Sequence, residues 1–148
     1  MAQRLFEPTD AAGVAAVLQS ISAERMAVTI RGAGTKLASM LPGPAEALLS
    51  TTRLTAPVDH VAGDLVATVP AGATLDAVNE VLRRERQWLP LDPPLSNRAT
   101  IGGIIAANDS GPRRHRYGTP RDLIIGIEIA LVNGHTARAG GRVVKNVA

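Results

Sequence analysis

Apolar positions along this chain follow two periods, and the switches between them mark its elements. Behind Thr9 and Asp10, either of which can cap a helix, Val14, Val17, Leu18 and Ile21 recur at helical spacing. Residues 27–31 are rich in β-branched side chains and stop at Gly32, which predicts a short strand and then a turn over residues 32–36. Past Pro42-Gly43-Pro44 a second strand is expected near Ala47–Ser50, and two more at 58–62 and 65–69, the last ended by Pro70 and Gly72. Thr74 is placed to cap a helix with Leu75, Val78 and Leu82 on one face and Arg83, Arg84 and Glu85 on the other.

After Trp88 the pattern changes. Leu89-Pro90-Leu91-Asp92-Pro93-Pro94 carries three prolines, each lacking a backbone donor, and reads as a stiff connector. Residues 100–111 are small and apolar. Then Ile125, Ile127, Ile129 and Leu131 alternate with Gly126, Glu128 and Ala130, Asn133-Gly134 follows, and residues 135–139 run on. That is a β-hairpin closed by an Asn-Gly turn. Strands and helices interleave without a regular β-α-β repeat, so the expected class is α+β, with mixed β-sheets flanked by helices, rather than a doubly wound sheet.

Composition narrows the chemistry. With 148 residues and 45% hydrophobic side chains the chain can bury a core, but Phe6, Trp88 and Tyr117 are its only aromatics, so that core is aliphatic. The absence of cysteine excludes disulfides, thiolate metal sites and cysteine nucleophiles. No apolar run reaches the roughly 20 residues of a membrane helix, and no transmembrane segment or signal peptide is expected. A soluble cytoplasmic protein is the expectation, attached to an inner membrane, if at all, through partner subunits. Fourteen of the sixteen basic residues are arginine. Arginine grips phosphate well, though codon usage in a GC-rich genome gives the same bias.

Three clusters are candidates for binding. Arg31-Gly32-Ala33-Gly34-Thr35-Lys36-Leu37 places glycines directly after a strand, where backbone amides can approach an anion, but it fits neither a Walker loop nor a Rossmann fingerprint. An ordinary turn is the bland alternative. Thr100-Ile101-Gly102-Gly103-Ile104-Ile105-Ala106-Ala107-Asn108-Asp109-Ser110-Gly111 leaves room for a flat ligand or for phosphates, and reads equally as a helix of small residues packed on a neighbour. Arg113-Arg114-His115-Arg116-Tyr117-Gly118 invites a nucleic-acid reading, which scarce aromatics disfavour. No metal site and no catalytic residue stand out.

In order, however, Arg-Gly-x-Gly-Thr-Lys, Leu-Pro-Leu-Asp-Pro-Pro, Thr-Ile-Gly-Gly, six residues, Ser-Gly, five residues and Tyr-Gly resemble the FAD-binding domain of the vanillyl-alcohol-oxidase and p-cresol-methylhydroxylase (PCMH) type. Within that family the likeness is to the FAD-binding subunits of bacterial glycolate oxidases, and it runs from the first helix to Val143-Val144-Lys145-Asn146-Val147-Ala148. The resemblance implies that Gly32, Ala33, Gly34, Thr35 and Lys36, flanked by Arg31 and Leu37, form a pyrophosphate loop. It implies that Leu91, Thr100, Ile101, Gly102, Gly103 and Ala107 line the cofactor. Ser110, Gly111, Tyr117 and Gly118 would shape a second wall, and Ile127 would meet the adenine end through its backbone. Some family members tether the flavin to a histidine or cysteine; neither stands at such a place here, so noncovalent FAD is implied.

The resemblance further implies a PCMH-type domain over residues 1–148 that is C-terminally incomplete: a first subdomain (1–54) and part of a second (55–148). The small 2-hydroxyacid substrate would then be met by a missing or partner domain, and other oxidase subunits are expected partners. The alternatives are an inactive or assembly subunit of a flavoprotein complex and, further off, an arginine-rich nucleic-acid-binding domain.

Overall fold

The computed structural model describes residues 3–37 and 43–142; Pro42 and the stretch from Val143 to Ala148 lie outside the described residues. The first half is built on three parallel strands, β1 (Arg4–Phe6), β2 (Val28–Arg31) and β3 (Ala47–Ser50), in the order β1-β3-β2. Leu48 pairs with Leu5 on one side and Thr29 on the other. Parallel neighbours cannot be joined by a tight turn, and helix α1 (Ala11–Ala23) supplies the crossover between β1 and β2. Of the two possible caps, Asp10 is used: its carboxylate accepts the Gly13 N–H at 2.7 Å. Central β3 buries Ala47, Leu49 and Ser50, and α1 buries Ala15, Leu18 and Ile21.

The second half pairs its strands locally. β4 (Asp59–Val61) and β5 (Val66–Thr68) are antiparallel, and both are shorter than the pattern suggested. The cause is the link between them: Ala62–Asp64 forms a 3-10 turn, and Leu65 adopts a left-handed backbone at φ 56° with its side chain in solvent. Helix α2 (Leu75–Arg83) is capped by Thr74, which accepts from the Ala77 N–H. Helix α3 (Ile101–Ala107) follows the proline connector; the one-turn helices α4 (Arg114–Tyr117) and α5 (Pro120–Leu123) come next. The expected hairpin closes the described chain as β6 (Gly126–Ala130) and β7 (Thr136–Gly140), with Ile127 opposite Ala139 and Ile129 opposite Ala137.

Leu75, Val78 and Leu82 of α2 pack with Leu91, Ala99, Ile101 and Ile104 to make the core of this half. Burial of each such aliphatic side chain is worth roughly 1.5–3 kcal/mol. One parallel sheet, two antiparallel ribbons and helices around them make the mixed α+β architecture anticipated.

Candidate functional site

The turn after β2 is the natural starting point. Gly34 has φ +77°, a backbone state that penalises any side chain, and the stem of Arg31 lies over it, with Cδ 3.3 Å from where a β-carbon would stand. Leu37 N–H closes the turn by donating to the Gly34 carbonyl at 3.2 Å. Among the described residues, the amides of Gly32, Ala33, Gly34 and Thr35 donate to no acceptor. Four consecutive half-buried N–H groups without a partner are what an anion-binding turn requires.

The second cluster lies directly against the first. A β-carbon on Gly32 would collide with Thr100 Oγ1, so the two segments meet at closer than side-chain distance. Thr100 is itself the cap of α3, accepting the Gly103 N–H. The remaining early amides of α3 are committed to the fold. Ile101 N–H donates to the Ala73 carbonyl and Gly102 N–H to the Ala71 carbonyl, both at 2.8 Å, while Leu75 N–H donates to Ala99. The starts of α2 and α3 are thus clasped together, and Gly102 is needed because a β-carbon there would press on Ala71. Around Gly103, Thr100 Oγ1 is the one atom of the described residues found within contact range of a β-carbon.

Helix α3 ends at Asn108, in the left-handed region at φ 47°, with Asp109 N–H donating back to the Ile104 carbonyl at 2.9 Å. This fixes Asp109 where its carboxylate meets Lys36 Nζ at 3.1 Å, a second tie between the clusters. Beyond it, Gly111 (φ +64°) sits so close to Asp92 that a β-carbon would overlap the Asp92 carbonyl. Asp92 also accepts the Arg113 N–H at 3.1 Å. The proline connector therefore buttresses residues 110–113 instead of merely spanning a gap.

In the third cluster the cations lie over the chain's own rings. The Arg113 guanidinium stands 4.8 Å from the centroid of Trp88, Tyr117 packs edge-on against Trp88 at 5.4 Å, and Arg116 lies over Tyr117. Gly118 rests against Asp122. That carboxyl is held below its ordinary value, first by the Thr119 N–H it accepts and then by the Thr119 hydroxyl, against a small opposing cost of burial.

Of the residues singled out from sequence, those at 31–37 and 100–111 form one seam. Leu91 and Ile101 belong to that region by backbone only, since their side chains are in the core. Thr100 and Ser110 are buried, and Ala107 closes the last turn of α3. Tyr117 and Gly118 lie beyond the Asp92 buttress. Ile127, 40% exposed on β6, has no hydrogen bond or ring contact to the seam among the described residues. Asp92 and Asp109 were not among the anticipated site residues, although one clue was present: a carboxylate among prolines, or beside a helix-ending Asn, has backbone amides within reach.

A separate cavity of about 770 Å³ lies between α2, α3, β5 and the start of β6, walled by Val69, Val78, Leu91, Ile104, Leu123 and Ile125. Its wall is mostly aliphatic, with His60, Asp64, Arg86, Gln87 and Trp88 also on it, and none of residues 31–37 contributes to it. No cluster of three metal-ligating side chains occurs among the described residues. His60 bonds Gln87 at 2.9 Å, far in sequence from the seam, and His115 lies on α4. The seam can hold an elongated anion by its backbone. The acid and base it brings together, Asp109 and Lys36, are bonded to each other.

Comparison with known proteins identifies the family. The family of FAD binding domains matches residues 2–140. The chain is 32% identical to D-lactate dehydrogenase of Archaeoglobus fulgidus over 143 residues, 96% of this chain and 32% of that protein. It is 32% identical to glycolate oxidase subunit GlcD of Bacillus subtilis over its whole length and 32% of the relative's. Glycolate oxidase subunit GlcE of Escherichia coli is 38% identical over 92 residues, 62% of this chain and 26% of the relative. The chain therefore spans about a third of the length of these relatives. Among solved structures, the grass pollen allergen Phl p 4, with glucose dehydrogenase activity, superposes with a TM-score of 0.79 at 16% identity, over 91% of this chain and 28% of the allergen. A chitooligosaccharide oxidase superposes at 0.76 and 20%, over 92% and 29%. At those identities the structures show a shared fold alone.

Proposed function

We propose, since the chain belongs to the family of FAD binding domains, that it is the dinucleotide-holding part of a flavin-dependent oxidoreductase acting on a small 2-hydroxyacid such as glycolate or D-lactate. The observation that carries this reading is the seam itself. Among the described residues the amides of Gly32–Thr35 have no partner, and Gly32 abuts Thr100 at the start of α3, so a turn suited to a diphosphate adjoins a wall of small residues suited to an elongated ligand. The residues present fit FAD: the amides of residues 32–35 would face its diphosphate, and Gly103, which carries no side chain, would lie along its length. Bound flavin supplies the hydride-accepting chemistry. This chain's residues bind and orient it.

Substrate specificity comes from relatives that are named for D-lactate, glycolate and D-2-hydroxyglutarate. Proton removal from a hydroxyacid needs a base in hydrogen-bond reach and a cation for its carboxylate, whereas the carboxylate and ammonium of the seam, Asp109 and Lys36, are bonded to each other. We assign those groups to further polypeptide, in the same protein or in partner oxidase subunits. FAD is held noncovalently in this reading, because cysteine is absent and none of the three histidines lies on the turn. The test is reconstitution: purified, folded chain mixed with FAD and passed through a desalting column should carry flavin absorbance with the protein. Acid precipitation should then release all of it to the supernatant. Folded protein that never retains flavin would reject the reading, and flavin left in the pellet would reject noncovalent binding.

A further inference from the structure

We infer that Asp109 is a positioning residue for the phosphate turn, and that Lys36 serves the turn as a strut to Asp109 rather than as a direct partner of the phosphates. The inference rests on the FAD reading above and assigns a role within that site. A lysine closing Arg-Gly-x-Gly-Thr-Lys invites assignment as the cation that meets the anion. The geometry points elsewhere. Lys36 Nζ lies 3.1 Å from Asp109 Oδ2, and the carboxylate that holds it is largely buried, its side chain 14% exposed. The Asp109 backbone is anchored, with its N–H bonded to the Ile104 carbonyl behind the left-handed Asn108 that ends α3. The turn is pinned at its other end as well, where Gly32 abuts Thr100 at the start of α3. One helix thus grips both ends of residues 32–36, by a steric contact at its N-terminus and a charge-assisted bond past its C-terminus. The amides between these two grips, from Gly32 to Thr35, are the ones without a partner among the described residues. Holding a loop in its bound shape before the ligand arrives raises affinity by removing the ordering cost.

The two roles for Lys36 predict opposite signs for one substitution. If Asp109 props the turn, Asp109→Asn loosens it and FAD binds about tenfold or more weakly, the scale on which one charge-assisted bond acts. If Lys36 instead serves the phosphates, removing the competing carboxylate makes the ammonium more available to them, and affinity stays level or rises. The experiment measures FAD affinity by quenching of flavin fluorescence for the wild type, Asp109→Asn, Lys36→Met and the double variant. It also follows tryptic cleavage after Arg31 and Lys36 in cofactor-free protein. A strut predicts weaker binding in both single variants, a double variant no worse than the weaker single, and faster cleavage in Asp109→Asn. Unchanged or tighter binding in Asp109→Asn overturns the inference, as does cleavage at the wild-type rate. Should Asp109→Asn fail to fold by circular dichroism, Lys36→Met with cleavage after Arg31 carries the same decision. A wild type that binds no FAD rejects the cofactor reading, while the cleavage comparison still tests the strut.

Discussion

The seam between the turn after β2 and α3 and the β6–β7 hairpin are made of similar material, small and aliphatic residues with few charges, yet they are finished to different degrees. In the seam every close approach has a partner: Gly32 against Thr100, Gly102 against Ala71, Gly111 against Asp92, Lys36 against Asp109. In the hairpin, Ile127, Ile129, Leu131 and Val132 all stand substantially in solvent, and the ribbon has two strands with no third among the described residues. The adjoining 770 Å³ cavity reaches Ile125 and Gly126 at the root of the same hairpin. The contrast separates two kinds of surface: the seam is closed by backbone approaches between segments far apart in sequence, whereas the apolar face of the hairpin has no such cover among the described residues.

The largest effect should come from breaking the seam at its buttress. Gly111→Val forces a β-branched side chain into a positive φ and into the Asp92 carbonyl, and should cost about 3 kcal/mol or more of stability, read as a fall in the urea midpoint. A midpoint equal to wild type would show that the Asp92 contact yields freely. Gly103→Leu should separate ligand from fold. A β-carbon there meets only Thr100 Oγ1, at 3.1 Å, so stability should change by about 1 kcal/mol or less while FAD binding falls below detection. Normal FAD affinity in a folded Gly103→Leu protein would mean that the small residues of α3 serve packing alone.

How much of this was legible beforehand depends on sequence separation. The hairpin, the Thr74 cap and the seam's glycines could be read because their signals are local: alternation, a capping residue, a turn dipeptide. β1 could not, since three residues become a strand only by pairing with β3 more than forty positions later. The parallel order β1-β3-β2 was hidden for the same reason. One-turn α4 and α5 have no room for a period, although Thr119-Pro120 with Asp122 is a capping signature in retrospect. The three clusters were visible, but nothing local brings Gly32 to Thr100 or Lys36 to Asp109, pairs separated by about seventy residues. Ile127 shows the reverse limit: its implied adenine contact stays a proposal, for the hairpin alone gives it no neighbour in the seam.

On the hairpin side the expected changes are smaller and opposite in kind. Ile127→Ser with Ile129→Ser removes apolar surface that the described fold leaves open, so the folded state should lose about 0.5 kcal/mol or less per site. Light scattering of the isolated chain should meanwhile show less self-association, since exposed apolar strands template pairing. A large loss of stability in this double variant would mean that the Ile face is already buried against something in solution.

The smallest effect belongs to Asp122, at the border between the two regions. Its carboxyl is lowered by the Thr119 N–H first and the Thr119 hydroxyl second, and it closes the capping box that starts α5, with Gly118 resting against it. A carboxyl whose folded value is depressed contributes stability that is present above its unfolded value and is lost as pH falls through the depressed folded one. The wild type should therefore melt slightly above Asp122→Ala at neutral pH, and the two curves should converge as the buffer is taken down through the acid range below the ordinary carboxylate value. Because the carboxyl is fully exposed and its partners lie within three residues, the difference at neutral pH should be smaller than any above. Thermal melts of both proteins across that range decide it: a difference that stays constant from neutral to acid pH would show that Asp122 acts by packing on Gly118 and not by its charge on Thr119.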